Sequence, residues 1–297
     1  MDTVVDIQVV TGTDTGTEER NHSPEKLEAQ IDRAFDAFRH VEQACSRFSP
    51  DSELMRACRQ IAKPVRISPF LFEPLKLALH MAECTDGLFN PTVGKRLENY
   101  GFNRHYLTQQ CMNSAVTDSV NYRDIVLDES DQTLLLHNPM VIDLGAVAKG
   151  FAIDLAAHEL QEFDGFIVNA GGDIYAGGVN EQGKPWEVSI QHPTHPEEMI
   201  YSLTLSDQAL CTSGSYERRS AITEGVHHLI DPITGRSPET WISCSVIAPY
   251  AMMADVFSSA VMLQRKEAGL QLIHQTNVQA ILITPDLQVV REGGIKI

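Results

Sequence analysis

The sequence predicts an α+β protein in which mixed sheets pack against helices. Three observations carry that prediction. Apolar residues recur at spacings of three and four over long stretches, which is the pattern of amphipathic helices. Short apolar runs bounded by turn residues read as strands, two of them as a hairpin. Hairpins and helices are interspersed without the strict strand-helix alternation of a doubly wound parallel sheet. With 297 residues and 43% hydrophobic content the chain can build a full core.

In order along the chain, TVVDIQVV at 3–10 reads as a strand. A polar loop follows, and Ser23-Pro24 reads as an N-cap with proline at the first helical position. Leu27, Ile31, Phe35, Phe38, Val41 and Cys45 then mark one face of a long helix. A second helix begins near Ser68-Pro69, is expected to restart at Pro74, and breaks at Asp86-Gly87. Residues 124–142 read as a hairpin, DIVLD and TLLLHN, followed by an apolar MVID strand that runs into Asp143. A helix over 146–160 feeds the strand FIVNAGG, and shorter strands follow around Trp186–Ile190 and Ile200–Leu205. The segment 211–240 reads as turn-rich, and helices near 254–264 and 266–275 precede a closing strand, AILIT. No repeat or linker is visible, so one domain spanning 1–297 is expected.

Composition narrows the function. Against 23 Lys+Arg stand 40 Asp+Glu, a formal charge of -17 that repels nucleic acids and acidic membranes. Six cysteines without a C-x-x-C pair indicate neither a zinc site nor a disulfide framework and fit a reducing cytosol. The first residues form no secretory signal, and no apolar stretch is long enough to span a bilayer.

Several segments carry chemistry. In DLGAVAKG at 143–150, a helix start beside Lys149 can cradle a phosphate, although a plain strand-to-helix turn is the simpler reading. NAGGD at 169–173 brings paired glycines, which admit close approach of a ligand or another strand, next to Asp173, which can orient a Lys or accept from a ligand hydroxyl. CTSGSYERR supplies Thr212, Ser213, Tyr216 and Arg218, hydroxyl donors and a fixed positive charge. In HHLIDPITG, His228 lies three residues before Asp231, a spacing open either to a base with a carboxylate neighbour or to an Asp-Pro turn with a structural histidine. In MADVFSSA, Asp255 and Ser259 are i and i+4 on a helix, so one hard cation can share their oxygens; a helix-dipole Asp and a packed Ser are the alternative. FSPDSELMR at 48–56 and TDGLFNPTVG at 85–94 read as polar loops converging on a cleft.

SRFSPDSEL, TDGLFNPTVG, DLGAVAKG, NAGGD, TSGSYER, HHLIDPITG and MADVFSSA occur in an order that resembles the ApbE-type FAD:protein FMN transferases, once called thiamine-biosynthesis lipoproteins. The resemblance implies an ApbE-like, T-fold-related architecture with FAD in a cleft between two lobes. It implies Mg²⁺-dependent transfer of FMN from FAD to a Thr or Ser hydroxyl of a target flavoprotein, releasing AMP. By the same resemblance Asp255, Ser259 and a backbone carbonyl at Ala146 hold the metal, Lys149, Asp173, Thr212, Ser213 and Gly214 line the FAD site, and His228 is the base. This chain departs from the family pattern at Ala146, where Gly is usual, at Ser259, where Thr is usual, and at Cys58, where Asn is frequent. Cys58 raises a Mg²⁺-dependent FAD pyrophosphatase as the nearest alternative; a non-catalytic flavin-binding or delivery protein is a third reading. Many members are anchored outside the cytoplasmic membrane, so the cytoplasmic expectation holds for the sequence as it stands.

Overall fold

The computed structural model describes residues 3–11, 24–105, 108–276 and 278–293. The elements are β1 (Val5–Val10), α1 (Pro24–Cys45), α2 (Glu53–Cys58), β2 (Val65–Arg66), α3 (Pro69–Cys84) and α4 (Gly94–Asn99). There follow β3 (Ile125–Asp128), β4 (Thr133–Leu136), α5 (Ala148–Glu159), β5 (Gly165–Ala170), β6 (Asp173–Gly178), β7 (Trp186–Gln191), β8 (Met199–Leu205) and β9 (Gln208–Gly214). The chain closes with β10 (Ser243–Ala248), α6 (Ala251–Leu263), α7 (Lys266–Thr276), β11 (Gln279–Ile283) and β12 (Val289–Glu292). The α+β expectation is met. The N-cap expected at Ser23, with the polar loop before it, lies outside the described residues.

Seven strands form one sheet in the order β1-β5-β6-β9-β10-β11-β12, with every neighbouring pair antiparallel. Helices α5 and α6 pack on one face and α1 packs on α5, burying a large apolar cluster that includes Phe38, Ile153, Leu160, Phe166, Val246 and Val261. The β7–β8 ribbon covers part of the other face through Val188, Ile190 and Leu205, which meet Leu210, Ile247 and Ile281. With both faces covered, all six residues of β10 are buried. A small sheet, β2-β4-β3, stands apart from the seven strands. Among the described residues no helix is long and apolar enough to cross a membrane.

Four sequence expectations change. Pro74 does not restart a helix but lies inside α3, which is continuous from Pro69 to Cys84. Proline has no N–H to offer the carbonyl four residues back, and the thiol of Cys45 approaches that Phe70 oxygen at 3.3 Å in its place. The MVID segment joins no sheet; the Asp143 N–H donates to the Pro91 carbonyl at 2.8 Å. Residues 211–214, expected among turns, are the end of strand β9. The two polar loops each contain a helix: the Ser52 hydroxyl caps α2 by accepting from the Met55 N–H, and a 3₁₀ turn at Pro91–Val93 leads into α4.

Helices α5 and α6 meet at Gly150, whose N–H donates to the Asp255 carboxylate at 3.0 Å. A Cβ at Gly150 would stand 2.4 Å from the Ala251 carbonyl oxygen, a backbone atom that cannot swing aside. Gly150→Ala should therefore lose about 1–3 kcal/mol of stability through overpacking, read as a lower urea midpoint at unchanged slope.

Candidate functional site

A cleft of about 640 Å³ opens where the β5–β6 turn, the start of α5, the end of β9 and the segment after it converge. Residues Gly171 and Gly172 form the two-residue turn between β5 and β6, with φ of 62° and 95°. Both values lie where only glycine is at ease, and such turns suit a tight antiparallel hairpin. The Asn169 side chain accepts from the Gly172 N–H at 2.9 Å and fixes the turn. Asp173, the first residue of β6, is thereby delivered to the cleft floor, where it is buried.

Asp173 does two things there. One oxygen accepts from the Thr212 N–H at 2.9 Å, and the other meets the ammonium group of Lys149. The Lys149 nitrogen also lies 3.8 Å from Asp255. Strand β6, helix α5 and helix α6 thus each send one charged side chain to the same point. Burial pushes the Asp255 carboxyl above its usual range, partly offset by Lys149 and the Gly150 N–H. Three of the backbone N–H groups at the α5 start that could cradle a phosphate already have partners in the protein. The Val147 and Ala148 N–H groups donate to the Leu144 carbonyl and the Gly150 N–H to Asp255, so these donors are engaged within the protein. The segment also brings the Lys149 side chain to the cleft.

Asp255 and Ser259 lie one turn apart on α6, both lining the cleft. Asp255 is the fifth helical residue, past the first turn, so the helix-dipole alternative does not describe it. Among the described residues no group of three His, Cys, Asp or Glu side chains is arranged to hold a metal. The donors present are all oxygens, and two carboxylates, Asp173 and Asp255, face a single ammonium. That leaves an excess of negative charge and suits a hard cation completing its shell with backbone, water or phosphate oxygens. Ala146, in the turn before α5, lines the same cleft.

The helix that carries Asp255 and Ser259 is fixed by Asp154, a residue the sequence reading did not single out. Its carboxylate accepts from the N–H groups of Ala251 at 2.6 Å and Met252 at 2.9 Å, capping α6 from α5. Burial pushes its carboxyl up to about 6, against the two N–H bonds that favour the ion. One acid inside the otherwise apolar and small run FAIDLAAH was the available signal.

Thr212 and Ser213 point to opposite faces of β9, as strand geometry requires. The Thr212 hydroxyl pairs with Ser245 of β10 at 2.7 Å, and the Ser213 hydroxyl with Ser258 and Ser259 of α6. Both border the cleft, as does Gly214, where a Cβ would meet the Tyr216 ring at 2.8 Å.

His228 lines the cleft and His227 does not. The His227 ring pairs with the Pro238 carbonyl at 3.0 Å, a structural role. Asp231 is not the partner of His228: its carboxylate accepts from the N–H groups of Ile233 and Thr234 and from the Thr234 hydroxyl, closing its own turn. The buried His228 Nδ1 has no hydrogen-bond partner. Burial first, then the positive charge of Arg218 and the neighbouring His227, push this imidazole down to about 3 despite the opposing pull of Asp143. It is therefore neutral near pH 7.

The loop carrying His228 is moored to α4 and the residues just after it. The Tyr100 hydroxyl donates to the Gly235 carbonyl at 2.7 Å, Arg96 donates to the Pro232 carbonyl, and the Ser220 hydroxyl donates to the Tyr100 carbonyl at 2.7 Å. Arg47, also missed in the sequence although it lies inside SRFSPDSEL, is 5% exposed. It pairs with Asp143, donates to the Phe102 carbonyl at 2.6 Å and lies over the Phe48 ring. Burial alone would raise the Asp143 carboxyl, but Arg47, the Gly145 N–H and Arg218 outweigh it and hold the group below its ordinary value. Cys58 is not among the cleft-lining residues; it packs by the Ile142 backbone, and burial pushes its thiol up to about 11.

This fold and cleft define a class: an antiparallel-sheet α+β scaffold whose binding floor is an ion cluster shared by a hairpin and two helices. The same fold is seen in the crystal structure of the ApbE protein from Thermotoga maritima, with a TM-score of 0.81 at 24% identity, over 98% of this chain and 96% of that one. The sequence model of the ApbE family matches residues 1–282, and the chain belongs to the ApbE family. Its relatives include the FAD:protein FMN transferase of Escherichia coli, 28% identical over 88% of this chain and 76% of the relative. That of Chlamydia trachomatis is 32% identical over 80% of this chain and 75% of the relative.

The His228 environment sets a pH dependence. In the unfolded chain the imidazole takes a proton near its ordinary value of 6.5, whereas the folded one resists until about 3. The unfolded state binds more protons in that window, so stability should fall as pH drops from about 6.5 toward 3. In His228→Gln this part of the acid limb should flatten, measured by urea unfolding across the same pH range.

Proposed function

We propose that this chain transfers FMN from FAD to a Thr or Ser hydroxyl of a target flavoprotein, releasing AMP, with Mg²⁺ as the metal. The observation that carries the reading is the cluster of Lys149, Asp173 and Asp255 on the floor of a cleft whose wall holds a neutral histidine. The names of the family relatives support it, since they too are FAD:protein FMN transferases. We read residues 1–297 as one catalytic unit, because a single buried apolar cluster runs from α1 to β11.

In this reading the FAD diphosphate lies over the cluster, with Lys149, 25% exposed at its side chain, as the cationic group within reach. Asp255, Ser259 and the Ala146 carbonyl would hold Mg²⁺. When bound, the ion supplies Lewis-acid neutralisation of charge that builds on the diphosphate. His228 takes the proton of the acceptor hydroxyl as its oxygen bonds to the phosphorus of the FMN half. The phosphorus–oxygen bond on the AMP side breaks, and AMP leaves with that oxygen. A neutral imidazole is ready to accept at once, and general-base assistance is worth typically ~10²–10⁴-fold. Its low proton affinity belongs to the cleft without substrate, and the diphosphate charge beside it would raise that affinity when it is needed. Asp143 and Arg218 flank this histidine with opposite charges and set its balance.

The test is mass spectrometry of a Thr-containing acceptor domain incubated with the protein, FAD and Mg²⁺. One FMN adduct per acceptor is expected, lost on chelation, restored by added Mg²⁺, and reduced by at least about 10²-fold in Asp255→Ala. Conversion of FAD to FMN and AMP with no adduct would make the protein a pyrophosphatase, and FAD left intact would make it a binding protein.

A further inference from the structure

Three buried hydroxyls form a chain behind the cleft. Ser258 Oγ lies 2.9 Å from the Asp255 carbonyl, Ser213 Oγ lies 2.8 Å from Ser258 Oγ, and Ser259 Oγ lies 2.9 Å from Ser213 Oγ. Each hydroxyl has one hydrogen to give and two lone pairs to receive. A carbonyl can only accept, so the Ser258 hydrogen must point to Asp255; otherwise two oxygens would face each other at 2.9 Å with nothing between them. With that hydrogen committed, Ser258 can only accept from Ser213, and Ser213 in turn can only accept from Ser259. The direction of all three bonds follows from the one acceptor at the end.

The consequence falls on Ser259. Its hydrogen is turned inward to Ser213, so the oxygen presents only lone pairs to the cleft it lines. A hydroxyl free to rotate can turn its hydrogen toward the cleft, which repels a cation. We propose that Ser258 and Ser213 are positioning residues that make Ser259 an acceptor-only oxygen, the state in which a hydroxyl serves a hard divalent cation. Ser213, by this assignment, acts through α6 and not by its side chain on FAD. The inference rests on the reading that Asp255 and Ser259 hold the metal.

The arrangement is specific to adjacent serines at 258 and 259 on α6, opposite Ser213 at the end of β9. Ser258 is 0% exposed and does not line the cleft, so it reaches a bound cation only through the residues it bonds, Ser213 and Asp255. Outer-shell partners of this kind typically change metal affinity by ~10–100-fold.

The experiment uses Mn²⁺ as the probe, titrated into the full chain with FAD present and followed by electron paramagnetic resonance, alongside FAD affinity without metal. Ser258→Ala and Ser213→Ala should each weaken Mn²⁺ binding by on the order of 10-fold, and Ser258→Ala should leave metal-free FAD affinity unchanged. If both variants bind Mn²⁺ as the parent does while Asp255→Ala does not, the positioning role is overturned and the metal site stands. If Asp255→Ala also binds as the parent does, the metal reading falls and the proposal with it. Loss of metal-free FAD binding in Ser258→Ala would mean a general disturbance of the fold and would overturn the proposal too.

Discussion

The contact of Lys149 with Asp173 and Asp255 is the constraint on which the rest of the site depends. A carboxylate removed from water is stable only when paired and hydrogen-bonded. Here each acid has an ammonium neighbour and a backbone N–H donor, from Thr212 for Asp173 and from Gly150 for Asp255. Satisfying both acids at once requires β6, β9, α5 and α6 to meet with little tolerance. Glycine at 150, the glycine turn at 171–172 and the Asp154 cap on α6 are the local means of that approach.

The same cluster links architecture to chemistry. An antiparallel sheet covered by helices on one face leaves the strand ends open, and the cleft occupies one such end. Acidic groups on the floor would repel a diphosphate unless cations intervene, and the overall charge of -17 gives no help at long range. In the proposed function, recognition of the diphosphate would therefore be local, through Lys149 and a cation, with Arg218 at the wall. The neutral state of His228 follows from the same low-dielectric setting, since burial disfavours the charged imidazole.

Much of the fold was legible in the sequence where a periodic pattern ran long enough, as in α1, α6 and the β3–β4 hairpin. Strand β10 was not, because it is buried on both faces and two serines, Ser243 and Ser245, interrupt its apolar run. Helix α3 was expected to break at Pro74 because nothing local reveals that Cys45, far back in the chain, reaches the orphaned carbonyl. At the site, side chains at i and i+4 of α6 could be paired from spacing alone. The contacts of Arg47 with Asp143 and of Asp154 with α6 join residues about a hundred positions apart, and no spacing rule encodes them. His228 and Asp231 show the reverse: three residues apart in sequence, they are separated by a turn that uses the carboxylate for itself.

The mooring of the loop around His228 has a consequence for divergence. Arg96 and Tyr100 grip it by the carbonyls of Pro232 and Gly235, atoms present whatever side chain stands there. A loop anchored through its main chain can exchange its outward residues, Ile222 and Ile233 among them, without losing its place over the cleft. The outer surface over the cleft can thus be rewritten by editing the loop alone, leaving the floor beneath it untouched.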